Sequence, residues 1–517
     1  MVLSLVGALL PVLLGVGVAL LPRVGAGVVG PTRTFALAAA LVVVLLEMLP
    51  AAASELGPWA LVAFVASVLA PGLLEHSIAR ISRLSPGILT LEIGYFGLLL
   101  HQAVDGVGIG LAGQQASVTL AIAAHSAPLV AASTLGYSAR LGPRAALWRG
   151  LGLLLLTAVG VVAGSGATEG APEGIDPWLQ AILGGFLLHI LGHGLETDPP
   201  RSGRARLTEL AALAGGMLLP LGWMDLTFAG TTPDSRLSIL DAAAELGVES
   251  SPALLVGLLL GLPLRQRVDR LEAGAFGTLV GALLRPEVLV LGVVLLGIQA
   301  LLWLIGVGML LATVAVWLGG SGREVENPWR DHPPHPVPER GWRGELERGL
   351  VEQGPWWVVG LGLAAYAEAF LPPGSLSFPG ALGAVAGVAL LSQLAPLAAL
   401  PLATVLGGKG LPMEGVIAVP LLASLYRFSV FQAAWKHRGT RGPAALLASL
   451  AVAAGLAVAL GAWLPSGTGL HLDHLPLLEH PPAELAAAVV LALLLVGSIG
   501  LVGPRHWFAT LAPEHDH

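Results

Sequence analysis

Three side chains in the first half of the chain have the types and spacing of a metal site. The segment LLLHQAVDGVGIGLAG carries His101 and Asp105, four residues apart and therefore on one face of a helix. The next apolar segment, LAIAAHSAPLVAAS, carries His125. A short uncharged connection around Gln114 and Gln115 joins the two segments and makes them antiparallel neighbours. Counted from Gln114, Asp105 lies about nine residues back and His125 about eleven forward. At ~1.5 Å per residue, the two reach the same depth within roughly 3 Å. Two imidazoles and a carboxylate, with no cysteine anywhere in the chain, suit Zn²⁺ or a similar first-row divalent ion. Pro128, one turn after His125, can free a backbone carbonyl toward the same place. The competing reading of His101 and Asp105 is a buried pair that locks two helices. Gly106, Gly108 and Gly110 beside them suit close helix packing.

The elements that must position these residues are transmembrane helices. Of 517 residues, 55% are hydrophobic and 11% charged, against about 25% charged in a soluble globular protein, which excludes a water-soluble enzyme. The mean hydropathy is +0.80. Aromatic residues make up only 5%, so the apolar surface comes from Leu, Val, Ala and 69 Gly, a composition for tightly packed membrane helices. The absence of cysteine excludes disulfides, thiolate metal sites and a cysteine nucleophile. A net charge of −7 over this length carries no signature of nucleic-acid binding. Ionisable groups near the middle of a membrane are costly and are usually functional.

Apolar runs of roughly 20 residues, enough to cross a ~30 Å hydrocarbon core, lie near 2–22, 34–53, 58–78, 89–112, 117–138, 145–165, 177–196 and 208–227. Others lie near 239–263, 350–371, 415–434, 443–465 and 484–503. The stretch 272–319 is apolar apart from Arg285 and Glu287 and does not divide on sequence alone. The expected fold is an all-α polytopic membrane protein of about 14 transmembrane helices. The first run lacks a basic leading segment and a small-residue cleavage site, and is read as a span. Loops after odd spans are basic: Arg23 and Arg33, Arg80 and Arg83, Arg140, Arg144 and Arg149, then Arg201, Arg204 and Arg206. Loops after spans two, four and six hold Glu55, then Gln114 and Gln115, then Glu169, Glu173 and Asp176. Basic loops stay cytoplasmic, so the N-terminus is expected outside, in a cell membrane of the bacterial inner-membrane type.

The expected domains are an eight-span bundle over 1–228, a first permease-like repeat over 238–319, a Pro/His-containing cytoplasmic linker over 320–349, a second repeat over 350–503, and a His/acidic tail over 504–517. Each repeat opens on an amphipathic-to-apolar helix, and the two begin on opposite sides of the membrane, which is the layout of an inverted repeat. The Gly/Pro-rich stretch 379–408, interrupted at Pro396 and Pro401, reads as a re-entrant hairpin.

Other polar groups in spans are Glu47, Glu75 with His76, His189 and His193, the stripe Asp241, Glu245 and Glu249, and Glu368. Glu47, Gln102, Ser126 and His189 are candidates for lining an ion path. Histidines also cluster outside the spans at His332 and His335, at His471, His474 and His480 with Asp473, and at His515 and His517, where weak metal capture and solvated loops are both open.

These motifs carry a resemblance. The first half resembles the ZIP family of divalent-metal transporters, whose fourth span reads H-N-x-x-D-G-x-x-I-G. HQAVDGVGIG matches it at His101, Asp105, Gly106 and Gly110. The family's fifth span reads H-E-x-P-H, and HSAPL keeps His125 and Pro128. LLEMLPAAASELG and AILGGFLLHILGHGLE look like the family's second and seventh spans. The resemblance implies a bundle of eight spans with His101, Asp105 and His125 as metal ligands. Gln102, Ser126 and Leu129 stand where the family has Asn, Glu and His, so at most one of its two adjoining sites is complete. The second half is similar in layout to the permease superfamily that includes arsenic and heavy-metal efflux permeases. Ser392, Gln393 and Thr404 stand in the broken stretch where that family places cysteines.

The expected function is transport of a divalent cation, zinc first, through spans four and five, with no prosthetic group. Its partners would be the metal ion, the bilayer and a second copy in a homodimer, and no nucleic acid. Two alternatives stay open: an oxyanion or organic-solute permease using the C-terminal half, and a non-transporting membrane scaffold or metal sensor. No H-E-x-x-H or G-x-S-x-G is present, and no enzymatic activity is expected.

Overall fold

The computed structural model describes residues 2–20, 26–79, 86–112, 116–166, 176–192, 202–227, 233–271, 281–319, 341–377, 394–425, 480–509 and 511, with seven isolated positions between 381 and 452. Every regular element among these is helical. The linker 320–340, the second part (426–434) of the run near 415–434, most of the run near 443–465, Gln114 and Gln115, Ser392 and Gln393, His193, and the histidines at 332, 335, 471, 474, 515 and 517 lie outside the described residues.

The chain divides into two units, the first of Met1–Arg236 with Ile499–Ala512 and the second of Leu237–Ser498. The first holds α1 (Val2–Leu20), α2 (Ala26–Val43), α3 (Leu49–Leu56), α4 (Pro58–Ala79), α5 (Pro86–Ala112), α6 (Ala116–Leu141), α7 (Pro143–Gly166), α8 (Asp176–Gly192) and α9 (Gly203–Thr227). Local signals set several of these ends. Gly142 at φ +88° closes α6 and Pro143 opens α7, because a left-handed residue ends a helix and proline costs nothing at the first helical position. Between α2 and α3 the backbone widens into a π-turn over Val44–Met48, and Leu49 donates its amide to the Val44 carbonyl. Pro50 follows directly, and the wider turn takes up the amide it lacks. Glu47 lies inside this turn.

Within the first unit, α5 packs on α7 and α6, α1 on α6 and α7, α2 on α9, and α4 on α8. A short C-terminal helix, Pro504–Ala509, returns to this unit. Its Arg505 donates to Glu209 of α9 at 2.5 Å, with Trp507 buried beside it. A Cβ on Gly30 of α2 would meet both partners of this ion pair, so glycine makes the room for it.

The second unit holds α10 (Pro233–Leu271, its first turn in the other unit), α11 (Pro286–Gly319), α12 (Trp342–Phe370), α13 (Pro396–Gly408), α14 (Met413–Leu425) and most of α15 (Pro482–Val502); the C-terminal helix Pro504–Ala509 is α16. The stretch that sequence alone did not divide is broken at Gly297, φ +80° and ψ +158°, a conformation open to glycine. A Cβ on Gly292 would lie 2.8 Å from Leu301 Cδ1. In a straight helix these residues would stand ~13 Å apart, so the chain folds back at Gly297. In the stretch 379–408 the chain is interrupted at Pro396, where the extended Ala395 precedes a helix, as the sequence predicts, and not at Pro401. Pro396 starts α13 and Pro401 sits within it. With 13 residues, α13 reaches only ~20 Å, less than a bilayer core.

Among the described residues, five helical stretches are long and apolar enough to cross a membrane: Gly30–Leu56, Pro143–Gly166, Ile239–Leu264, Pro286–Val314 and Pro482–Val502. The fold-back at Gly297 makes the fourth a hairpin of two shorter pieces. Helix α7 buries Gly150, Thr157, Gly160 and Gly164 while exposing Leu147, Trp148, Leu151, Leu155, Val159 and Val162. Leu153 and Val161 are buried among them, but a helix that turns this many large apolar residues outward suits lipid better than water. This is a helical membrane protein.

Candidate functional site

Helix α5 presents His101, Gln102 and Asp105 to the interior, and all three are buried. His101 Nε2 lies 3.4 Å from Asp105 Oδ2. From α6, the Ser126 hydroxyl donates to the same Oδ2 at 2.6 Å. From α7, Thr157 Oγ1 lies 3.0 Å from Gln102 Oε1 and 2.8 Å from the Leu153 carbonyl of its own helix. Its single proton is therefore shared between a helix carbonyl and the Gln102 amide. The Gln102 Nε2 is buried with no hydrogen-bond partner among the described residues. The result is a polar junction of three helices inside an apolar bundle, holding an imidazole, a carboxylate, an amide and two hydroxyls.

Glycine brings α5 and α7 together. Gly106 and Gly110 of α5 face Gly160 and Gly164 of α7, two small-xxx-small pairs in register. A Cβ on Gly106 would overlap the Thr157 carbonyl, and one on Gly160 the Ala103 carbonyl. The closeness of these backbones lets Thr157, on a short side chain, reach Gln102.

Nearer the start of α5, an ionic and aromatic clasp ties the same three helices. Arg149 of α7 donates to Glu92 of α5 at 2.5 Å, and its guanidinium lies 4.8 Å from the Tyr95 ring centre and 5.4 Å from that of Tyr137. The two rings meet edge to face at 5.8 Å. Tyr95 donates to the Arg149 carbonyl and Tyr137 to the Leu91 carbonyl, at 2.9 and 2.8 Å. Sequence reasoning took Arg149 for a loop charge. The nearby Glu92, in an otherwise apolar run, is the signal that it has a partner inside the bundle.

The sequence-derived candidates fall as follows. His101, Asp105, Gln102 and Ser126 come together at the junction. Ser126, noted in sequence only as a departure from a motif and as a path residue, serves as donor to Asp105, and its bond shows that residues 105 and 126 share one depth. His125 precedes it on α6, His189 lies on α8 and Glu47 in the π-turn, with their side chains outside the described residues. Thr157 was missed, although it is a lone polar residue within LLLLTAVG.

The second unit has its own buried charges. Lys409, at the end of α13, donates to Glu368 of α12 at 2.5 Å, and the Lys409 carbonyl accepts from the Leu376 amide at 3.0 Å. Thr404 bonds back to the Leu400 carbonyl of its own helix. No family model, curated protein or solved structure matches the chain, so neither the ZIP family nor the permease superfamily is identified by comparison.

Proposed function

We propose that this protein is a multi-pass transporter of the cell membrane, N-terminus outside, that moves a divalent metal cation, zinc first, through its N-terminal unit. His101, Asp105 and His125 bind the ion, and Glu47, Gln102, Ser126 and His189 line its path. The observation that carries this reading is the buried His101–Asp105 pair, 3.4 Å apart and supported by Ser126, at a junction of three helices. Burying a carboxylate costs several kcal/mol that pairing seldom recovers in full. Neutral residues of the same volume would hold the helices together at least as well, so a lipid-embedded imidazole–carboxylate pair points to a task beyond packing. Imidazole and carboxylate are borderline and hard donors, matched to zinc and its neighbours. The test is zinc flux into proteoliposomes by wild type, His101→Ala and Asp105→Asn. Loss of flux in both variants, with melting temperatures near wild type, supports the reading. Wild-type flux in either refutes it.

A second reading puts the path in the C-terminal unit, with an oxyanion or organic solute as cargo. It is favoured by the pairing of buried Lys409 with Glu368 beside α13, a helix too short to span, an arrangement tolerated in lipid only where protein or a cavity covers it. It predicts flux that is indifferent to His101 and Asp105 and sensitive to Lys409→Met.

A further inference from the structure

The geometry points to a second divalent-cation site, in the C-terminal unit, formed by Glu245, Glu249 and His480 with Glu484 behind the histidine. Glu245 and Glu249 stand four apart on one face of α10. His480 lies about 230 residues further along the chain, just before α15. One carboxylate oxygen from each glutamate and a ring nitrogen of His480 lie within 4.8 Å of one another. Around an ion with bonds of about 2.0–2.2 Å, tetrahedral ligands sit roughly 3.4 Å apart. Small side-chain movements therefore close the set.

The histidine is arranged as a ligand. It is only 3% exposed. Its Nδ1 lies 3.0 Å from Glu484 Oε2, and its Nε2 is buried with no hydrogen-bond partner among the described residues. A proton on Nδ1, held by the Glu484 carboxylate, leaves the lone pair on Nε2. This carboxylate–histidine relay is the one that metal-binding histidines use to fix their tautomer and raise their basicity. A buried ring nitrogen without a hydrogen-bond partner among the described residues, on a histidine clustered with two carboxylates, is what an ion held among the three side chains would use.

Electrostatics agrees. Two carboxylates at i and i+4 repel, and partial burial strengthens the repulsion. A divalent cation cancels both charges. The local sequence also loosens the helix at this point: Ser250 and Ser251 bond back to the Leu246 and Gly247 carbonyls, and Pro252 leaves the Val248 carbonyl without its helical donor. Two oxygens, one nitrogen and no sulfur select a first-row divalent ion such as Zn²⁺ or Mn²⁺, with its remaining positions on water. Asp241, the third acid of the stripe, is exposed and takes no part.

This site is independent of the His101–Asp105 reading, and its test is built to stay so. The full-length chain carrying His101→Ala and Asp105→Asn, in lipid nanodiscs, is titrated with Zn²⁺ alone, and bound zinc and melting temperature are followed. The expected result is one bound equivalent and a zinc-dependent rise in melting temperature. Both should vanish on adding His480→Gln or, with the His480–Glu484 contact left intact, Glu245→Gln with Glu249→Gln. Glu484→Gln should keep the site but weaken it about 10–100-fold. No zinc bound by the parent, or zinc bound equally after either ligand change, overturns the proposal. Unchanged affinity in Glu484→Gln overturns the relay. Transport by the otherwise wild-type protein reports on the first reading separately.

Discussion

Replacing Gly160 or Gly164 with alanine should pry α5 away from α7, and the cost can be worked from the backbone geometry. A Cβ at Gly160 would overlap the Ala103 carbonyl and lie 3.1 Å from Gly106 Cα and Val107 N; one at Gly164 would overlap the Val107 carbonyl and lie 3.0 Å from Val107 C and Cα. All of these are backbone atoms, so no rotamer change relieves them and the helices must separate by roughly 0.5–1 Å. A gap of that size forfeits about a quarter to a half of each dispersion contact along the seam. Overpacking of this kind costs about 1–3 kcal/mol. Alanine recovers ~0.5–1 kcal/mol through its greater helix propensity. The net expectation is a loss centred on about 1 kcal/mol, and at most about 2.5 kcal/mol, at each position. Gly166, two residues beyond Gly164 at the end of the same helix, has nothing within 4 Å of its Cβ position. Gly166→Ala should therefore be neutral or slightly stabilising. The assay is equilibrium unfolding in mixed micelles of the three single variants. Equal stability of Gly160→Ala, Gly164→Ala and Gly166→Ala would refute the close α5–α7 seam and the Thr157–Gln102 contact that depends on it.

Ser126→Ala removes a hydrogen bond to a buried carboxylate and should cost about 1.5–3 kcal/mol; Ser126→Thr should recover most of it, and wild-type melting in Ser126→Ala would show that Asp105 does not need this donor. Arg505→Met leaves Glu209 buried without its cation and should cost about 3–5 kcal/mol, whereas Arg505→Met with Glu209→Met should recover much of that. Thermal melts in detergent decide, and a double variant no better than the single contradicts the pairing. The Glu92–Arg149 pair is about a third exposed on each side, so Glu92→Gln should cost less than about 1 kcal/mol. A larger loss would show that the pair is shielded more completely than its exposure indicates.

How much of this was legible in the sequence depends on distance along the chain. The neighbourhood of His101, Asp105 and Ser126 was readable because two of these residues share a helical face and the third lies one short connection away. The α6–α7 turn was readable from the gap between the apolar runs 117–138 and 145–165 and from Arg140 and Arg144 within it. The break at Gly297 was not, since one glycine among 69 carries no mark until its φ is known. Nor was the pairing of Glu245 and Glu249 with His480, because loop closure across some 230 residues is decided by packing and not by local pattern. The segment after Pro504, read as a polar tail, begins with Arg505 and Trp507, both buried against the first unit. Their types, an arginine and a tryptophan following an apolar span, fit a membrane-interface segment equally well, and only the acceptor on Glu209 decides between the two.

The most direct test of transport through the N-terminal unit sets two double variants side by side in the same proteoliposomes, with radioactive zinc outside. His101→Ala with Asp105→Ala should abolish uptake, and Lys409→Met with Glu368→Gln should leave it standing. The reverse pattern, uptake surviving the first pair and lost with the second, would contradict the proposal and move the path to the C-terminal unit.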